Sequence, residues 1–358
     1  MEKRNILLMV LAAGMAASCC GETSESVPTY TEAGLTSATA EITMSDLTEM
    51  GYTTKTLPLT GADGGKRLVI ADALDVVLSD ENIFILTNDI QVWRFSSDGK
   101  LEGKVGAKGN GHGKYLYVND IYLAPDGKGI CLNAMTKGTM TYRADGTYKG
   151  KKKRKSNELR HSLVDGPYII ESVQTLTGNE TDRLRIRDTS GNKTVRFANH
   201  LLFNQTSESN VTAYTEYKAL FKDGNGEIIF HQMSTDTIFT VHPESSTLEP
   251  RCCFSFQHGI SQSDLSSFAD IWQDIYMVYD YAEDYAFRYV TLMEPDSQRQ
   301  LYLIDKTDGT IYRSAITIPG TGSDFYPKWQ YGDMLIDYCL TKTGEPYLTI
   351  LSLRDTLR

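Results

Sequence analysis

Sliding the chain along itself by 47 residues brings two of its segments into register. Ile83-Phe84-Ile85-Leu86 falls on Ile130-Cys131-Leu132-Asn133, while Phe95, Asp98, Gly99, Gly103 and Lys104 fall on Tyr142, Asp145, Gly146, Gly150 and Lys151. A repeat of this length excludes most folds, because each copy is one supersecondary unit that buries its apolar face only against its neighbours. The shared plan is a short apolar strand, a turn, a second strand, a polar turn, a third strand ending in an aromatic residue, an Asp-Gly turn and a fourth strand. Asp-Gly favours a two-residue type I′ hairpin turn, and it recurs at Asp63, Asp98, Asp126, Asp145, Asp165, Asp223 and Asp308. Weaker copies occupy residues 168–191, 219–242, 289–314 and 329–353. The spacing therefore predicts an all-β fold, a six-bladed β-propeller of four-stranded antiparallel blades over residues 47–358. The strand-like run from Tyr52 to Leu59 lies outside the first unit and is expected to join the last blade, removing its open edge. A chain with 21 Tyr and 29 Gly but only 10 Pro suits such a fold.

One stretch breaks the pattern. From about residue 261 to 281, Leu265, Phe268, Trp272, Ile275 and Tyr279 recur at helical spacing, and Ser261 or Ser263 offers an N-cap. The expectation is a helical insert between blades 4 and 5, lying over one face of the disc. Its aromatic residues stand among acids. Trp272, Tyr276, Tyr279, Asp280 and Tyr285 are the candidate ligand-binding residues, since rings offer apolar faces and carboxylates accept hydroxyl or amide hydrogens. Packing of half these rings onto the propeller is the competing explanation.

The start of the chain reads as an address. Lys3 and Arg4 precede a charge-free apolar run from Ile6 to Ala17, too short to span a bilayer and suited to an export signal over residues 1–18. Ala16-Ala17-Ser18 before Cys19 resembles a bacterial lipobox, which implies cleavage and lipidation at Cys19. Acyl chains would then anchor the protein without a spanning helix. From Cys20 to Thr54 there is no Lys or Arg but there are six acids, among many Ser and Thr. Residues 19–46 are therefore expected to form a flexible acidic tether.

Several chemistries are disfavoured. A net charge of −10 argues against nucleic-acid partners. The glycine run ending at Gly113-Lys114 has Lys108 and Tyr115 where a phosphate loop needs Gly and Ser or Thr, so it reads as a blade-to-blade crossing. The six histidines are scattered, and Asp223-Gly-Asn225-Gly-Glu227 places Ile228 where a calcium loop needs Gly. No metal or other cofactor is expected. Cys131, Cys252, Cys253 and Cys339 have no metal-ligand spacing and read as free thiols, with one disulfide as the alternative. The basic block from Lys149 to Lys155 reads as a solvated blade edge.

The segment Lys104-Val-Gly106-Ala-Lys-Gly109-Asn-Gly111-His-Gly113-Lys-Tyr115, with Asp120, Ile121 and the Asp126-Gly127 turn, resembles the inter-blade signature of NHL-like six-bladed propellers. It is most similar to the propeller lipoproteins of gut Bacteroidota, although His112 and Lys114 replace that signature's usual Pro and Glu. The resemblance carries no catalytic residues. It implies an outer-membrane, surface-exposed lipoprotein with a binding role, accessory to a transporter taking up glycan or peptide. The alternative is a calcium-dependent propeller enzyme of lyase or lactone hydrolase type, with carboxylates converging on the central axis.

Overall fold

The computed structural model describes residues 26–153, 158–175, 178–190, 193–200, 202–203, 219–232, 235–260 and 274–353. The second strands are continuous buried runs and the outermost strands alternate in exposure, and the chain folds as antiparallel meanders. Ala73–Leu78, Asn82–Thr87, Val92–Ser96 and Leu101–Lys104 form the first sheet. Val118–Leu123, Ile130–Ala134, Gly138–Tyr142 and Tyr148–Lys152 form the second, and Arg160–Asp165, Tyr168–Val173, Asp182–Asp188 and Thr194–Ala198 the third. Met277–Glu283, Phe287–Glu294, Gln298–Asp305 and Ile311–Ala315 make a fourth separate unit, which Glu41–Thr43 extends to five strands.

The expectation of six separate blades needs correction. Four units stand as sheets of their own, and a nine-stranded sheet stands where two more were expected. It contains the meander Leu220–Asp223, Ile228–Phe230, Thr237–His242 and Thr247–Ser255. A second meander runs through Trp329–Gly332, Met334–Leu340, Pro346–Leu353 and Tyr52–Pro58. The two are joined because Lys222 and Asp223 pair in parallel with Tyr331 and Gly332. Tyr52–Pro58 pairs with Pro346–Leu353 along its whole length, as the sequence predicts.

The first strands of the first, second and third sheets and of the two joined meanders touch one another in a closed circuit, giving an all-β, propeller-like body. Met277–Glu283 reaches that circuit through Gln330, whose Oε1 accepts from Glu283 N at 3.0 Å. The core lies in the seams between sheets. Val77, Phe84 and Val105 of the first sheet pack on Ile121, Leu132 and Tyr142 of the second, all nearly inaccessible to water. Buried aspartates clasp the seams. Asp75 Oδ2 accepts Ile121 N at 3.1 Å, and Asp120 Oδ2 accepts Ser162 N at 3.0 Å, each reaching the first strand of the next sheet. Both follow a β-bulge, which re-aims the side chain along the seam.

The Asp-Gly turns differ in detail from expectation. Gly99, Gly127, Gly146 and Gly309 have positive φ, whereas the described non-glycine residues with positive φ are Ile90, Ser246 and Asp296. At these four turns the aspartate is thus not left-handed, and they are not type I′. Asp126, Asp145 and Asp308 instead accept a backbone N–H two residues on, at 3.1, 2.9 and 2.8 Å, before the left-handed glycine. The glycine run is a crossing, as expected. Gly106 has φ +62, and a Cβ there would lie 2.7 Å from the Tyr142 hydroxyl. Lys149, Lys151 and Lys152 are exposed on the outermost strand of the second sheet. The four described cysteines are free thiols, with Cys131 and Cys252 buried.

The expected flexible tether over 19–46 is corrected from residue 26 onward. Thr29–Thr31 pairs in parallel with Cys253–Ser255, and Glu41–Thr43 pairs in parallel with Arg313–Ala315. Each short strand leads into a helix, Glu32–Thr36 or Met44–Glu49, capped by Thr31 or Thr43; the second has a full capping box with Asp46. Leu35 and Leu47 on these helices are completely buried in two successive seams. The segment is polar because the belt buries only a few large apolar side chains, Leu35, Ile42 and Leu47. Its backbone hydrogen bonds go to sheet edges that would otherwise be open.

Candidate functional site

At one end of the sheets, a groove of about 500 Å³ spans the third sheet, the Thr247–Ser255 meander and the five-stranded sheet. That volume falls within the range of small-ligand sites, about 300–1,000 Å³. Its wall is the chain from Phe254 to Ile260, which leaves the end of the Thr247–Ser255 strand. Two contacts hold this wall. Glu32 Oε2 accepts Gln257 N and His258 N at 2.9 and 3.2 Å, and Tyr276 N donates to His258 O at 2.9 Å. The acidic belt therefore shapes the groove as well as covering the sheet edge. Phe254, Phe256 and Tyr276 form a row of near-parallel rings, with centroids 6.1 and 6.3 Å apart. Arg183, Asp236, Thr237, Ser255 and Gln257 add polar groups to the same groove.

The structure separates the residues that the sequence grouped. Trp272 lies outside the described residues, as does most of the expected helical insert. From Met277 onward that insert is corrected to a strand. Phe287–Glu294 offers a complete pairing partner, and Val278, Tyr281 and Ala282 are buried in the sheet. Tyr276 lies in the groove. Tyr279 is half-buried, with the Arg299 guanidinium 4.1 Å above its ring centroid. Tyr285 is 64 % exposed at the opposite end of the Met277–Glu283 strand, so it shares no site with Tyr276.

Asp280 follows the bulge of its strand, the position Asp75 and Asp120 hold in theirs, and is 8 % exposed. Burial pushes its carboxyl up to about 7, although Arg299 and Lys328 pull it down and Asp337 adds to the rise. Asp337 accepts Tyr326 N at 3.0 Å, and Lys328 Nζ lies 3.0 Å from its other oxygen. The sequence missed this pairing because Asp337 is 57 residues away and nothing in its local pattern marks it.

A second cavity of about 270 Å³ lies among the first strands, lined by Val77, Tyr122, Leu123, Val164, Phe221 and Tyr331 among others. Its apolar lining offers little to a metal. Among the described residues no group of three or more His, Cys, Asp or Glu is placed to hold one. His161 Nδ1 accepts Ala219 N at 3.2 Å, and full burial takes His231 down to about 3, so both act as neutral core groups.

These features define an all-β, propeller-like protein with a mixed aromatic and polar groove at the strand ends. The chain belongs to the family described as domain of unknown function DUF4934, whose family model matches residues 66–349. A search of the curated proteins finds no match. Among solved structures the chain is similar to an inferred exported protein of Bacteroides fragilis, at 13% identity, covering 91% of this chain and 99% of that one with a TM-score of 0.64. It is more distantly similar to the extracellular domain of a one-component system from B. thetaiotaomicron, at 10% identity, 81% and 35% coverage and a TM-score of 0.47. Virginiamycin B lyase from Staphylococcus aureus follows at 12% identity, 85% and 100% coverage and a TM-score of 0.42. The first similarity shows the fold, and at these identities none of them shows an activity.

Proposed function

We propose that this protein is exported, anchored in the outer membrane by lipid on Cys19, and displayed at the cell surface as a non-catalytic binding propeller beside a nutrient transporter. The observation that carries the binding role is the groove of about 500 Å³, with its ring row Phe254, Phe256 and Tyr276 beside hydrogen-bonding side chains. A site that mixes aromatic faces with a few placed polar groups suits a sugar or peptide ligand. The apolar axial cavity favours this reading over the calcium-dependent axial enzyme. Six blades is the finer architecture we propose, with the nine-stranded sheet counted as two blades fused by the Lys222–Tyr331 pairing.

An array of glycans and peptides probed with the full-length protein tests the function. Binding that is lost in Tyr276→Ala and Phe256→Ala but kept in Tyr285→Ala supports the groove. Absence of binding, or binding indifferent to Tyr276, overturns it. The anchor is tested separately by fractionation of Cys19→Ala, which should leave the membrane pellet; a variant that stays there refutes lipidation at this residue.

A further inference from the structure

Arg183 is the exception among the described arginines of the third sheet. Arg160 meets Glu158 and Glu171, Arg185 meets Glu158 and Asp182, Arg187 meets Glu171, and Arg196 meets Asp182. Arg183 lines the groove and forms no ion pair with a carboxylate among the described residues. Its Nε and Nη2 are buried, with no hydrogen-bond partner among the described residues. The guanidinium is instead held by rings, its Cζ lying 4.6 Å from the Phe239 centroid and 5.1 Å from that of Phe230. Burying those donors without an acceptor is costly, and a ring-supported planar guanidinium that lines the groove is placed to recognise a carboxylate there. Burial lowers its pKa to about 10, with nearby Asp236 opposing the shift, so it remains charged at neutral pH.

We infer that Arg183 is an anion-recognition residue and that the groove takes a short saccharide bearing a carboxylate, of the uronate type. This rests on the groove being the binding site. A saccharide fits better than a peptide for two reasons. A peptide adding as a strand needs an open sheet edge, but the edge of Thr247–Ser255 beside the groove is already covered by Thr29–Thr31. A sugar ring, in contrast, needs an aromatic face with hydroxyl partners near it. Tyr276 supplies the first, and Thr237, Ser255 and Gln257 supply the second.

The test is calorimetric titration of the full-length protein with trigalacturonate, its neutral methyl ester and triglutamate. Trigalacturonate should bind, and the ester should bind at least about tenfold more weakly, the loss of one charge-assisted contact. Arg183→Ala should weaken trigalacturonate by about 10- to 100-fold, with Arg183→Lys in between. Asp236→Asn, at an exposed position, should tighten it about two- to fivefold by removing a like charge. Equal affinity for acid and ester, or indifference to both Arg183→Ala and Asp236→Asn, overturns the anion assignment. If Tyr276→Ala still abolishes that binding, the groove itself survives. Arg183-dependent binding of triglutamate alone overturns the saccharide in favour of an acidic peptide. Failure of all three probes to bind overturns the inference, while binding of other array ligands would leave the general function standing.

Discussion

Leu47→Ala is the sharpest test of whether the acidic N-terminal segment belongs to the folded body. Leu47 is completely buried, in a seam with Tyr52, Phe287, Tyr289, Leu301, Leu335 and Leu351. Those neighbours come from five strands, four of them distant in the chain, that are themselves fixed in sheets, so the site has little freedom to collapse. Truncation of a buried leucine costs about 2–5 kcal/mol, from lost transfer energy plus the cavity left behind. Taking about 3 kcal/mol, with a urea m-value of about 3 kcal/mol/M at the upper end for small proteins, the midpoint should fall by about 1 M. Met50→Ala, at a 44 % exposed position just beyond the same helix, should change stability by less than about 0.5 kcal/mol. Thr43→Ala, which removes the capping box, should cost about 1 kcal/mol. Urea unfolding followed by tryptophan fluorescence reads all three. If Leu47→Ala moves the midpoint no more than Met50→Ala does, the segment is a tether and the belt described above is wrong.

Three further outcomes follow from buried charge and backbone geometry. Asp280 is raised to about 7 in the folded state against about 3.8 unfolded, so the folded protein holds more protons between those values and stability falls as pH rises through that window, by up to about 4 kcal/mol. Asp280→Asn should flatten that fall and exceed the wild type in stability at pH 8, read as urea midpoints from pH 4 to 8; a parallel pair of profiles would show that Asp280 is not responsible. Burial alone would raise Glu283, but Arg251 and Lys306 hold its carboxyl below the usual range, so Arg251→Ala should cost about 3–5 kcal/mol by leaving a fully buried charge. Loss of under 1 kcal/mol in the same assay would refute that dependence. Gly106→Ala combines a left-handed φ with a contact on Tyr142, and should lower stability by at least about 1 kcal/mol; an unchanged midpoint would mean the crossing relaxes freely.

The strands were legible where local pattern and tertiary demand agree. Ile83-Phe84-Ile85-Leu86 and its copy at Ile130 are buried second strands, and the Asp-Gly turns fall between strands as the repeat requires. The run from Met277 to Tyr281 reads as helix because Ile275 and Tyr279 satisfy a helical spacing by accident. Pairing with Phe287–Glu294 overrides that spacing. The belt was missed for the opposite reason. Composition averages over a segment, and three buried residues, Leu35, Ile42 and Leu47, do not register as a core among so many polar ones. A signal was nonetheless present: Thr31, Leu35 and Thr36 recur as Thr43, Leu47 and Thr48, twelve residues on. That step matches the passage from one sheet edge to the next. The groove was half-legible. Tyr276 is in it, but Arg183 carries no local mark and becomes conspicuous only once its neighbours' carboxylates are assigned elsewhere.

The belt also sets the length of the leash. With the chain pinned to a sheet edge from Thr29, only nine residues lie between that edge and the lipid we propose on Cys19, and the ten steps fully extended span at most about 35 Å. A free segment to residue 46 would have reached nearly three times as far. On so short a leash the body cannot roam outward from the bilayer to search for ligand. So anchored, it would ride close to the surface, and Thr31 on the pinned edge pairs with Ser255 in the groove wall. If Cys19 carries lipid as proposed, the groove would then operate within a few nanometres of the membrane.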